Sequence, residues 1–299
     1  MSVRQVWRET AALFWEHPVL WLPVLGADLT SFFLTKLQKY VSHALIYHLL
    51  LGPASVFGDT RSLPGPSSNG IVFKAAVLGS ALQWSTHFAQ IILYTIALFM
   101  TAALVRNISR HESASLLSSV QLVGSQSRTI LGLSLKVLGM AVLLTITLGP
   151  VIVFTITQAQ KHMVHLPSGG MYVLIVPAFC GIAYLAAPIA IRQIGGMTLK
   201  PLTPESKRNG RIFAVLTVVV SSALGYCLPH IEGSFTAEAL FSSTPAVTTL
   251  GAIVSLLVAL PYVVLFIALT LIVDSDGGSR DPVEDLLGLD GSEDVIGPS

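Results

Sequence analysis

VTTLGAIVSLLVALPYVVLFIALTLIV, residues 247–273, decides the fold. These 27 residues contain no Asp, Glu, Lys or Arg. As an α-helix rising 1.5 Å per residue they reach about 40 Å, more than the roughly 30 Å of a bilayer's hydrocarbon core. Within hydrocarbon each backbone N–H and C=O must find its partner inside the segment, which a helix provides. Val247–Val273 therefore reads as a membrane span. Gly251, Ser255 and Ala259 recur every fourth position along it and allow a second helix to approach closely.

Working outward from this stretch, five more segments carry the same signal: Pro18–Leu37, Ser85–Val105, Ile130–Thr157, Met171–Ile191 and Ile212–Leu228. The last, at 17 residues, is the shortest. Composition agrees, because 53% of the 299 residues are hydrophobic and only 11% are charged. An ordinary soluble domain is roughly 25% charged. The expected fold is all-α: a polytopic transmembrane helical bundle of six spans, arranged as three hairpins.

The distribution of charge orients the bundle. With the N-terminus on the cytoplasmic side, the inner flanks collect eleven of the Lys and Arg residues, from Arg4 and Arg8 through Arg106, Arg110 and Arg128 to Lys207, Arg208, Arg211 and Arg280. The outer flanks hold five: Lys36, Lys39, Arg61, Lys74 and Lys161. Positive loops stay cytoplasmic, so both termini are expected there. Eight of the sixteen acids lie in the last 26 residues, Asp274–Ser299, a Gly-rich stretch without aromatics that cannot bury enough surface to fold alone. It reads as a disordered cytoplasmic tail. Its segment Asp281-Pro282-Val283-Glu284-Asp285-Leu286-Leu287 offers a helix to a protein partner. A net charge of +1, with no basic block, sets nucleic acid aside.

Ahead of the spans, residues 1–17 read as an interfacial amphipathic helix. Val3, Val6, Trp7, Ala11 and Phe14 fall on one face, and Arg4, Arg8 and Glu9 on the other. Trp7, Trp15 and Trp21 cluster where the chain enters the bilayer, as interfacial anchors do. The domain expectation is thus residues 1–17 at the interface, 18–273 as the six-span body and 274–299 as tail. Ser115–Arg128 carries a second surface helix, with Leu116, Leu117, Val120 and Val123 at helical spacing. Thr203-Pro204-Glu205-Ser206 has a Thr cap, a Pro in the first turn and an acid at the positive end. Three units follow, each an interfacial element leading into a hairpin. Between the first two spans, Val41–Leu51 reads as a helix on the outer surface and residues 52–70 as a Pro- and Gly-rich loop.

Ionisable groups at mid-bilayer cost at least a few kcal/mol unless paired or hydrated, so each is a candidate site. Asp28 lies about 15 Å from the inner end of the first span, and Lys136 about 12 Å from the inner end of the third. Matched depth predicts that they share a polar pocket. His87 and Gln90, three residues apart on the second span, form a smaller polar patch suited to interhelical hydrogen bonding. His162 and His165 could share a helix face, but no His-Glu-x-x-His or Cys pair completes a metal site. Cys180 and Cys227 lie in apolar runs and behave as small hydrophobes. Pro150, Pro177, Pro188 and Pro261 fall inside or near the ends of spans, where they kink helices.

No phosphate-cradling loop, no Gly-x-Ser-x-Gly elbow and no paired acidic motif of an intramembrane protease is present. No catalytic residue, metal ligand or cofactor is expected. The opening Val6-Trp7-Arg8, then Phe14-Trp15-Glu16-His17-Pro18-Val19-Leu20-Trp21-Leu22-Pro23-Val24-Leu25, resembles the start of a broad group of bacterial six-span proteins. In that group a short amphipathic helix leads through a proline-containing apolar segment into the first span. The group is similar to the membrane domain that accompanies some bacterial glycerophosphodiester phosphodiesterases. The resemblance implies a bacterial inner-membrane protein and names no catalytic residue, so the phosphodiesterase activity is not carried over. The leading expectation is a non-enzymatic helper or scaffold for lipid- or envelope-associated partners. The alternative is a small-solute or proton-coupled transporter using the Asp28/Lys136 region.

Overall fold

The computed structural model describes residues 1–51, 69–110, 115–161, 168–195, 202–231 and 245–277. Every element in these residues is helical. They are α1 (Val3–Glu16), a 3₁₀ turn (Pro18–Trp21), α2 (Leu22–Leu51), α3 (Asn69–Ser109), α4 (Leu116–Ser125), α5 (Ser127–Lys161), α6 (Ser168–Ile194), α7 (Pro204–Ile231) and α8 (Pro245–Gly277). Five stretches are long and apolar enough to cross a membrane: Pro18–Ser42, Val77–Ser109, Ser127–Val151, Val176–Ile194 and Ala252–Ser275. The remaining expected span, Ile212–Leu228, lies inside α7. That helix opens with Glu205, Lys207, Arg208 and Arg211 and is not among the five.

Local chemistry sets the boundaries. Ser2 caps α1, its hydroxyl accepting from the Gln5 N–H at 3.3 Å, and Ser115 caps α4 in the same way. Thr203 caps α7, accepting from the Ser206 N–H at 3.2 Å, with Pro204 in the first position. At Pro18 the chain turns. Trp21 Nε1 donates to the Phe14 carbonyl at 2.9 Å and the two rings stack, which braces the corner between α1 and α2.

Three expectations change here. Val41–Leu51 is not a separate surface helix but the continuation of α2, because no Pro or Gly interrupts the chain between Gly26 and Gly52. The motif at Thr203 does not begin a separate lead-in element; it begins α7 itself, so only α1 and α4 stand as short helices ahead of spans. The 3.6-residue pattern also carries α8 through Asp274 to Gly277, moving the boundary of the tail. The outer loop at 52–68 and the tail from residue 278 lie outside the described residues.

α8 is the hub. It packs against α1, α2, α3, α6 and α7, and its Val263, Ile267, Ala268 and Ile272 are wholly buried or nearly so. α2 also packs on α3, α5 on α6 and α6 on α7. α5 by contrast leaves Leu131, Leu135, Leu143, Ile146, Val151 and Phe154 exposed, an apolar face suited to lipid. Pro150, Pro177, Pro188 and Pro261 all lie inside helices. Pro261 has no N–H to give the Leu257 carbonyl one turn back, and α7 brings hydroxyls to two other carbonyls of the same stretch. Ser221 Oγ donates to the Val258 carbonyl at 3.2 Å, and Thr217 reaches that of Pro261 at 3.5 Å.

Gly210 lets α7 pack closely on α6 and α8. A Cβ there would collide with Ile191 of α6 and stand 3.5 Å from Leu269 of α8, whereas at Gly225 it would meet nothing within 4 Å. Overpacking a filled interior costs about 1–3 kcal/mol. Gly210→Leu is therefore expected to lower the thermal unfolding midpoint of the detergent-solubilised protein. Gly225→Leu is expected to leave it unchanged.

Candidate functional site: a carboxylate held by three helices

Asp28 is only 8% exposed. Tyr94 of α3 donates its hydroxyl to Asp28 Oδ1 at 2.6 Å, and Ser255 of α8 donates to Oδ2 at the same distance. Both bonds fall in the short range of hydroxyl donors to carboxylates. The Tyr94 ring rests against Tyr262, two turns further along α8, with centroids 5.5 Å apart. One side chain thus joins α2, α3 and α8. Ser255, read from sequence as a small packing residue, proves to be a donor as well.

Spacing explains the arrangement. Residues 28, 31 and 35 of α2 and 87, 90 and 94 of α3 each follow the three-and-four repeat that keeps side chains on one helix face. The two stripes face each other. Gln90 Nε2 donates to Thr35 Oγ1 at 2.9 Å, and Thr35 in turn donates to the Ser31 carbonyl at 2.9 Å. His87 Nδ1 stands 3.1 Å from Gln90 Oε1 and is itself exposed. Ser134 of α5 adds a buried hydroxyl pair with Thr95 at 3.2 Å. His87, Gln90 and Asp28 therefore lie along one polar seam between α2 and α3.

Lys136 is not part of it. Its side chain is exposed, and both oxygens of Asp28 are engaged by Tyr94 and Ser255. Helix phase gives the reason. Ile130, Leu133 and Ser134 are the buried face of α5, and Lys136 lies two residues beyond Ser134, about 200° around the helix. Depth matched; direction did not.

A second cluster ties the charged ends of the helices. Arg106 of α3 forms an ion pair with Asp274 of α8 (Nε to Oδ1, 3.1 Å) and donates from Nη2 to the Ile194 carbonyl at the end of α6, also at 3.1 Å. The sequence reading assigned Asp274 to the tail and missed this clasp. An acid directly after an apolar span, opposite an Arg directly after another, was the available signal.

The tryptophans divide. Trp15 is 73% exposed and Trp7 is half exposed. Trp7 also stacks on Phe213 of α7, and Trp21 is the corner brace described above. The apolar face of α1 does not all go to lipid: Val6, Thr10 and Phe14 are buried, and α1 packs against α8. Between α1, α7 and α8 lies an open groove of about 400 Å³, apolar but for Thr217, with Trp7 and Phe14 on one side and Val220, Leu257 and Pro261 on the others. Among the described residues no group of three or more His, Cys, Asp or Glu could hold a metal. His162 and His165 lie outside them.

A buried hydroxyl left without its acceptor costs about 1–3 kcal/mol. Asp28→Leu, which strands Tyr94 and Ser255, is expected to destabilise the protein by at least that amount. Asp28→Asn, which keeps an acceptor oxygen, is expected to cost less. Lys136→Met is expected to stay within about 0.5 kcal/mol of the parent, as exposed substitutions do. Thermal unfolding in one detergent compares all three.

The chain matches no protein-family model, no curated protein and no solved structure.

Proposed function

We propose that this chain is a multi-pass protein of the bacterial inner membrane that acts without catalysis, as a helper or scaffold for lipid- or envelope-associated partners. One observation carries the reading. The intramembrane carboxylate and amide are engaged within the bundle, Asp28 by Tyr94 and Ser255 and Gln90 by Thr35, while an open apolar groove lies on the side of the bundle. A bundle whose buried carboxylate is held by its own hydroxyls presents shape and lipid-facing surface to its surroundings. The acidic tail, with Asp281 to Leu287, supplies a segment for a soluble partner on the cytoplasmic side.

The topology belongs to the same proposal. Eleven Lys and Arg on one set of flanks against five on the other favour both termini in the cytoplasm. That requires an even number of spans, so α7 crosses as well, fifth of six in chain order. Reporter fusions test it. A reporter inserted between α7 and α8, near Thr236, is expected to read periplasmic, and one after Ser299 cytoplasmic. Opposite results at the two sites would leave five spans and separate the termini.

A second reading, a small-solute or proton-coupled transporter at Asp28, draws on the hydrogen-bonded line from exposed His87 through Gln90 and Thr35 toward the carboxylate. Lys136 has no place in it. In proteoliposomes carrying a pH-sensitive dye, the scaffold reading expects the same proton leak for the parent and Asp28→Asn. A proton flux abolished by Asp28→Asn would reverse the order of the two readings.

A further inference from the structure

We propose that the exposed face of α5 beside Lys136 docks a membrane-spanning helix of another protein, one that carries a carboxylate at the same depth. This rests on the reading of the chain as a membrane scaffold and names the kind of partner that reading leaves open.

Geometry comes first. Gly132, Gly139, Leu143 and Ile146 fall on one side of α5, because steps of four and seven residues return to nearly the same direction at about 3.6 residues per turn. Leu135 and Lys136 stand on the two edges of this strip, about 100° apart. Leu135, Leu143 and Ile146 are 52%, 64% and 66% exposed, and Gly139 and Lys136 are exposed as well. A Cβ at Gly132 or Gly139 would meet nothing within 4 Å. The glycines thus form a shallow channel between a leucine ridge and a lysine ridge, on the outside of the bundle. Small residues at such spacing let a second backbone come close.

Glycines alone name no occupant; Lys136 does. It lies about 12 Å from the Arg128 end of α5, and those two are the charged residues of the apolar stretch Ser127–Val151. No ion pair or hydrogen bond reaches Lys136 among the described residues. A lysine stem extends about 6 Å from its Cα, so a side chain rising toward the Arg128 end still holds its charge about 6 Å short of it, in hydrocarbon. A cation there without a partner is costly, and a carboxylate on a facing helix offsets that cost while fixing the register of the pair. A second copy of this chain does not supply one. Within the five apolar stretches the acids are Asp28 and Asp274, and both are engaged, the first by Tyr94 and Ser255 and the second by Arg106. Two copies meeting in parallel through this strip would also bring Lys136 against Lys136, like charge against like.

The full-length chain in phosphatidylcholine vesicles, labelled for Förster transfer, is titrated with a spanning peptide of about 20 Leu that carries one Glu about eight residues from an end, or Gln in its place. The Glu peptide is expected to associate about tenfold more tightly than the Gln peptide. Lys136→Met, a change at an exposed position, is expected to erase the difference. Lys136→Glu is expected to reverse it, preferring a peptide with Lys over one with Glu. Gly132→Leu with Gly139→Leu, which fills the channel and keeps the lysine, is expected to weaken the Glu peptide about tenfold. Equal association of the Glu and Gln peptides, or a difference that survives Lys136→Met, would overturn the site. So would Förster transfer between two labelled copies that the glycine variant abolishes, which assigns the strip to self-association. Native mass spectrometry in which Lys136→Met removes bound phosphatidylglycerol and leaves the peptide unaffected would overturn it in favour of a lipid headgroup. Alkaline carbonate separates the two layers of inference: release of the chain from membranes defeats the membrane reading, whereas a chain that stays in the membrane and prefers neither peptide defeats the α5 site alone.

Discussion

A carboxylate inside a membrane-spanning bundle must have its lone pairs filled by the protein, because hydrocarbon offers no donor. Asp28 meets that constraint with two hydroxyls from two other helices, Tyr94 on α3 and Ser255 on α8. Apolar side chains give helices in lipid little reason to choose one neighbour over another, since lipid tails are as apolar as Leu. Directional hydrogen bonds do. The Asp28 junction fixes which face of α2 meets α3 and which turn of α8 meets both. The polar stripe from Asp28 through Thr35 to His87 continues the same choice along the α2–α3 contact.

The remainder of the bundle is arranged around α8. Around its Pro261, hydroxyls of Ser221 and Thr217 on α7 reach the carbonyls of Val258 and Pro261 and attach α7 to α8. At its charged end, Asp274 receives Arg106, and the same guanidinium donates to the Ile194 carbonyl at the end of α6. A carbonyl at a helix C-terminus is without an intrahelical partner and carries partial negative charge, so the cation satisfies two needs at once. α1 lies over this assembly with Val6, Thr10 and Phe14 inward, and the open groove is the space it leaves beside α7 and α8.

Much of this was legible in the sequence, for reasons that differ by residue. The spans announce themselves by length with little charge, which depends on composition alone. Ser2 was passed over as a cap; Ser115 and Thr203 belong to start motifs that local chemistry makes readable. Asp28 stood out because its burial is costly, but nothing local names Tyr94 or Ser255, which lie 66 and 227 residues away. Lys136 was matched to it by depth, one of two coordinates a helix defines. The other, direction, was present in the run Ile130, Leu133, Ser134 and gives Lys136 the opposite face. For α1 the amphipathic pattern showed which face is apolar, and periodicity does not distinguish burial in lipid from burial against protein.

The central claim is that Asp28 faces α3 and α8 and turns away from Lys136. Cysteine pairs report this directly. In membranes treated with a mild oxidant, Asp28→Cys with Ser255→Cys is expected to form an intramolecular disulfide, detected by mass spectrometry of the digested protein, while Asp28→Cys with Lys136→Cys stays reduced. Efficient crosslinking of the Lys136 pair with none of the Ser255 pair would contradict the account.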